Sequence, residues 1–159
     1  MNRIGPLLLA AGLLVGCGHA GAGAAVPTPT PTASGTSGPF HAVASPARLA
    51  AGETVHLTLT VTGPLQYQAA CVQTLQIWAE DSSHQEVWRQ PQPMIACMAI
   101  AYRTLAAGET ATFKADWPTS PSLAPGSYSI HGYFMVVLPA GYGARVRENL
   151  PALTIKISG

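Results

Sequence analysis

The sequence predicts an all-β protein, an immunoglobulin-like antiparallel β-sandwich of about seven strands. Three observations carry that expectation. Apolar residues recur at every second position in several stretches, which is the period of a strand with one buried face. Charged residues make up only 9% of the chain while Gly numbers 16 and Pro 14, a composition that leans toward β or unstructured chain and away from helix bundles. The hexapeptide Leu-Ala-Ala-Gly-Glu-Thr occurs at 49–54 and again at 105–110, each time directly before an alternating stretch. This is one turn solution used twice; the flanks diverge too far for a repeat architecture.

Ahead of the sandwich the chain reads as two non-globular pieces. Residues 1–16 form a signal segment, with Asn2 and Arg3 as the n-region and Leu7 to Val15 as an apolar core. That core is about half the ~20 residues a spanning helix needs. It ends Leu14-Val15-Gly16-Cys17, which resembles the bacterial lipobox. The resemblance implies diacylglyceryl transfer to the Cys17 sulfur, cleavage before it, and an anchor in membrane lipid. Several acyl chains at ~0.8 kcal/mol per buried CH₂ hold a protein stably. Ordinary secretion, with cleavage near Ala22-Gly23-Ala24, is the alternative. Residues 17–38 then form a linker that lacks hydrophobic periodicity and carries Pro27-Thr28-Pro29-Thr30-Pro31-Thr32, a polyproline-II spacer. Gly18 in place of an aspartate is compatible with an outer-membrane or cell-surface destination.

The domain is expected to span 39–159. An initial strand lies near Phe40 to Val43. Thr54 to Thr62 alternates cleanly, with Val55, Leu57, Leu59 and Val61 on one face. Thr74 to Glu80 and Gln85 to Arg89 are joined by the polar turn Asp81-Ser82-Ser83-His84. Ala111, Phe113, Ala115 and Trp117 alternate until Pro118 ends the strand. Ser127 to Leu138 is a long strand with Ile130, Phe134, Val136 and Leu138 on one face, and Leu153, Ile155 and Ile157 alternate in the last. Leu123-Ala124-Pro125-Gly126-Ser127-Tyr128 resembles a tyrosine corner, in which the Tyr128 hydroxyl bonds upstream backbone and Leu123, Pro125 and Gly126 shape the turn.

With Cys17 lipidated, Cys71 and Cys97 remain, an even pair suited to a disulfide in an oxidising compartment and worth roughly 3 kcal/mol in the chain-entropy model. The nearby Met94 and Met98 keep soft-metal binding open as an alternative. No nucleophile elbow, zincin motif or phosphate loop is present, so no catalytic residue and no cofactor or metal is assigned. Asp81, Ser83 and His84 hold the letters of a triad but read as a turn. His56 and His131 fall opposite the apolar rows and read as solvated or rim residues. Trp78, Trp88 and Trp117 read as core or rim aromatics. A net charge of +1 builds no field for nucleic acid. Met94 to Tyr102 is nearly uncharged and apolar without alternation. It reads either as a strand or loop buried on both sides or as a partner-binding surface of Met94, Ile95, Met98, Ile100 and Tyr102.

The run Glu86-Val87-Trp88-Arg89, the turn from Leu105 to Glu109, Asp116-Trp117 and the corner from Leu123 to Tyr128 together resemble the BsuPI-type proteinase inhibitor family. The resemblance covers roughly Arg48 to Val137 and departs at Ala107, where the family has proline, in the Met/Ala-rich segment after Trp88, and in the added cysteine pair. It implies an Ig-like protein-binding module with proteinase inhibition as its activity, meeting a protein partner. A structural or adhesion-type envelope domain, and a Cys/Met metal or redox protein, are the alternatives that the residues leave open.

Overall fold

The structure is a computed structural model that describes residues 29–69, 73–92, 101–138 and 144–159. Alternation decides the outcome where it is longest. Thr54 to Thr62 becomes one nine-residue strand, β4 (Thr54–Thr62), with Val55, Leu57, Leu59 and Val61 buried and the threonines between them facing out. It pairs antiparallel along its whole length with β9 (Thr110–Pro118) and on its other side with β2 (Phe40–Ser45). A further strand, β1 (Ala33–Ser37), completes a four-stranded sheet in the order β1-β2-β4-β9.

The second sheet is built around the twelve-residue β10 (Gly126–Val137). One edge of β10 is bordered by β12 (Leu153–Ser158) and β11 (Arg145–Asn149), the other by β6 (Leu75–Glu80) and β5 (Leu65–Gln68). Outside these lie β3 (Arg48–Ala50) on β12, β7 (Glu86–Arg89) on β6, and β8 (Tyr102–Leu105) on β5. The chain switches sheets between β2 and β3, and β3 runs parallel to β12. That is the one parallel pair among the described strands and the exception to the antiparallel expectation. The two sheets close an immunoglobulin-like sandwich over a core centred on Phe134, whose ring meets Phe113 at 4.8 Å, Phe40 at 5.6 Å and Tyr67 at 5.7 Å. Full burial of a side chain such as Phe134 contributes about 1.5–3 kcal/mol, while Phe113 is half-buried at the margin.

Three sequence expectations need correction. The described strands number twelve because two long partners of β10 are each broken in two and short strands are added at the edges. Residues 33–37, expected in the flexible linker, form β1 in unbroken register with β2. The two-residue loop Gly38-Pro39 closes that hairpin, with Gly38 at φ 54, the glycine-first pattern of a II′ turn. Small side chains make β1 possible: a Cβ on Gly35 would lie 2.8 Å from Pro151, so only glycine lets the strand settle there. Contact with the domain reaches still earlier in the linker, since Ala47 N–H donates to the Pro31 carbonyl at 2.7 Å. Leu138, expected on the apolar face of the long strand, lies beyond its end and is exposed.

The repeated hexapeptide makes the same turn twice. Gly52 and Gly108 sit at φ 92 and 80, the position of a type II turn that glycine fills. Glu53 and Glu109 each accept the backbone N–H three residues earlier, from Ala50 at 2.7 Å and Ala106 at 3.0 Å. At the other landmark, the Tyr128 hydroxyl donates to the Ala124 carbonyl at 2.7 Å while its ring packs on Trp117, the geometry of a tyrosine corner.

Candidate partner-binding face

The β5–β8 pair carries Tyr102, the one described residue of the expected contact surface. Register runs from Leu65 opposite Leu105 to Gln68 opposite Tyr102, and just beyond it Ala69 N–H donates to the Ala101 carbonyl at 2.8 Å. The chain therefore leaves toward Cys71 and returns from Cys97 at one place. Cys71, Cys97, Met94, Ile95, Met98 and Ile100 lie outside the described residues, as do Cys17 and the signal segment. Tyr102 is described: it occupies the outermost strand of the sheet, 46% exposed.

A set of glutamines braces this region, and the sequence reading missed them. Gln76 and Gln68 are fully buried although each sits on the strand face opposite the core, because other chain covers them. Gln76 Nε2 donates to the Gln90 carbonyl at 2.9 Å and its Oε1 accepts from Gln92 Nε2 at 2.9 Å. Ile77 N–H donates to Gln90 Oε1 at 3.2 Å. Gln68 Oε1 accepts from Arg145 Nη1 at 3.1 Å, and its carbonyl accepts from the Thr74 hydroxyl at 2.6 Å. Buried amides without partners cost about 1–3 kcal/mol each, and these have them. The only sequence signal was the run Gln90-Pro91-Gln92 at the end of a strand.

At the opposite end of the short β5–β8 pair, beside Leu65, lies an open apolar cavity of about 380 Å³, lined by Pro39, Phe40, Pro64, Leu65, Gln66, Val136, Val137, Leu138 and Glu148. Gly63 brings the β4–β5 corner against the turn before β9. Exposed Leu138 lies beside this cavity, whereas exposed Tyr102 sits at the other end of β8, opposite Gln68.

The outer face of the large sheet carries an aromatic ladder. Trp78 stacks on His131 (5.7 Å, 18°), with Arg89 over its ring at 5.0 Å, and Arg147 lies 4.8 Å over Tyr133. Trp78 Nε1 donates to Glu80 at 2.7 Å, while His131 Nε2 faces the other Glu80 oxygen at 3.5 Å. His131 is thus a half-buried stacked residue. Of the other tryptophans, Trp117 is core and Trp88 packs half-buried on it. The Arg89 guanidinium donates to the Glu86 carboxylate, holding that acid below the ordinary glutamate range, and the same bond raises the arginine. His56 meets Asp116 at 2.8 Å as an exposed cross-strand pair. Asp81 Oδ1 accepts the amides of Ser83 and Gln85, so the turn that spelled a triad is a self-bonded loop. Among the described residues no three potential ligands converge on a metal position.

Comparison with known families matches residues 52–138, more than half of the chain, to BsuPI, described as an intracellular proteinase inhibitor. That span runs from the Gly52 turn through β10 and contains β4 and β9 of the smaller sheet with β5 to β8 and β10 of the larger. An inhibitor family accords with a non-enzyme. Among solved structures, the crystal structure of the C-terminal domain of wzt aligns with a TM-score of 0.50 at 13% identity, covering 76% of this chain and 71% of that one. At that identity the likeness concerns fold alone. No curated protein sequence matches significantly.

Proposed function

The chain belongs to the BsuPI family of intracellular proteinase inhibitors, and from that premise we propose that it is a membrane-anchored extracytoplasmic lipoprotein whose Ig-like domain binds and restrains a protease. The observation that carries the binding role is the family match across both sheets. We propose that the contact surface runs along the β5–β8 edge, where Tyr102 at the Gln68 end and Leu138 near the Leu65–Leu105 end are exposed, and includes Met94 to Ile100, which precede β8 in sequence. Export and anchoring rest on Leu14-Val15-Gly16-Cys17. The word intracellular belongs to the family's description; the signal segment argues for a different compartment here. In an oxidising space Cys71 and Cys97 bridge. The hydrogen-bonded neighbours Ala69 and Ala101 favour this, since Cys71 follows the first by two residues and Cys97 precedes the second by four.

The test is inhibition of a panel of serine proteases by the chain from Gly18 onward. Inhibition is expected, weakened by Tyr102→Asp and Leu138→Asp with unfolding transitions unchanged. No inhibition of any protease would sink the inhibitor reading and leave an envelope-binding domain.

A further inference from the structure

Arg48 and Lys156 stand directly opposite each other on the parallel pair β3 and β12. Two cations in register repel, and such pairs are ordinarily destabilising. Among the described residues neither has an ion-pair partner, and Glu53, the acid that follows β3, has its Oε2 bonded to the Ala50 amide. The two basic side chains line an open cleft of about 340 Å³ whose other walls include Pro31, Thr32 and Thr154. Two cations and two hydroxyl-bearing residues around one cleft suit a phosphate group.

The position of the cleft selects the source of that phosphate. The Pro31 carbonyl is hydrogen-bonded to the domain through Ala47 N–H, and Cys17 lies fourteen residues earlier in sequence. Even fully extended, that length reaches only about 50 Å, so an anchored domain stays within reach of its own bilayer. We propose that Arg48 and Lys156 bind the phosphate of an anionic phospholipid headgroup and seat the domain on the membrane that holds Cys17. The inference rests on the lipoprotein reading. Each basic residue near an anionic surface strengthens binding roughly fivefold, so the pair supplies roughly thirtyfold. That is too little to recruit a free protein, but it suffices for a tethered one at high effective concentration.

The sequence holds only two lysines, Lys156 in the cleft and Lys114 on the outer face of the other sheet, so one serves as control for the other. The full lipoprotein is reconstituted in vesicles of phosphatidylcholine, alone or with phosphatidylglycerol, and lysine acetylation rates are read by mass spectrometry. Lys156 should be protected at least fivefold on the anionic vesicles. The protection should vanish in high salt and in Arg48→Glu, with Lys114 unchanged throughout. Equal Lys156 rates on both vesicles overturn the proposal. Protection by millimolar inorganic phosphate without added anionic lipid, matching that of the anionic vesicles, overturns the headgroup as source. The same spectra report the mass of Cys17; a Cys17 without lipid removes the premise, and the proposal falls with it.

Discussion

Replacing Gly63 with alanine tests how the β5–β8 end of the sandwich is closed. Gly63 N–H donates to the Glu109 carbonyl at 2.8 Å, and its own carbonyl accepts from Gly108 N–H at 3.4 Å. A Cβ at this position would lie 2.2 Å from the Ala106 oxygen and 2.6 Å from the Leu105 oxygen. Both are main-chain atoms, so no side-chain rotation relieves the contact. The Cβ must retreat by about 1 Å to reach van der Waals separation, which draws the β4–β5 corner off the turn before β9. Overpacking of this kind costs about 1–3 kcal/mol, and two weakened hydrogen bonds add about 1 kcal/mol each. The expected loss is about 3–5 kcal/mol, a large share of the ~5–15 kcal/mol that domains possess. Two comparisons isolate the cause. Gly108→Ala has nothing within 4 Å but sits at φ 80, so only the left-handed backbone is penalised, by about 1–2 kcal/mol. Gly126→Ala meets nothing nearer than Tyr128 Cε2 at 3.8 Å and should stay within about 0.5 kcal/mol of the parent. Urea unfolding followed by tryptophan fluorescence, with Trp117 in the core, reads each midpoint at constant slope. A Gly63→Ala loss no larger than that of Gly108→Ala refutes the reasoning.

Tyr128→Phe keeps the ring against Trp117 and removes one hydrogen bond to the Ala124 carbonyl, so stability should fall by about 1–1.5 kcal/mol; a change below about 0.3 kcal/mol would mean the corner is ornamental. Thiol titration of the denatured, unreduced chain from Gly18 onward should find no free thiol, and reduction should lower stability by roughly 3 kcal/mol; two free thiols under oxidising conditions would return metal or redox roles to contention. The Glu86 carboxyl, held low by Arg89, should titrate below the ordinary glutamate range in an NMR pH series. Because its folded value is depressed, the pair's contribution is present above the unfolded glutamate value and lost as pH falls through the folded one. Arg89→Gln should return Glu86 to the ordinary range, and an unmoved titration would contradict the assignment.

How much of this was legible depended on whether a residue's environment is set by its own strand or by another. The faces of β4, β9 and β12 follow from alternation, because one buried face imposes period two. Parity would also have placed Trp78 outside, since Ile77 and Ala79 on either side of it are core residues. The strands missed were β1, β3, β5, β8 and β11, none longer than five residues. Each owes its extended form to the ladder it joins, so no local pattern marks it; Arg48–Ala50 is a strand because β12 lies beside it. Buried Gln68 and Gln76 escaped for a related reason. Alternation puts them on the solvent face, and only a distant segment crossing that face makes them interior. Of the predicted contact surface, Tyr102 alone is placed, and its exposure follows from the edge position of β8, which no residue pattern encodes.

The two proposed sites make demands that can contradict each other, and β10 decides whether they do. Its first residues align with the end of β12 that carries Lys156, and its last with β5 at Gln66 and Tyr67. At about 3.3 Å per residue, the nine or ten residues between these positions hold them about 30 Å apart. The Leu138 end therefore lies well clear of the cleft through which Arg48 and Lys156 would meet lipid, so the two contacts use separate surfaces. Had the exposed apolar residues fallen beside β3, seating and inhibition would compete for one surface. The arrangement requires the perturbations to separate. Arg48→Glu should leave protease inhibition in solution unchanged, and Leu138→Asp should leave Lys156 protection on anionic vesicles unchanged. If either substitution moves the other readout with folding intact, the two functions do not occupy opposite ends, and the placement of at least one is wrong.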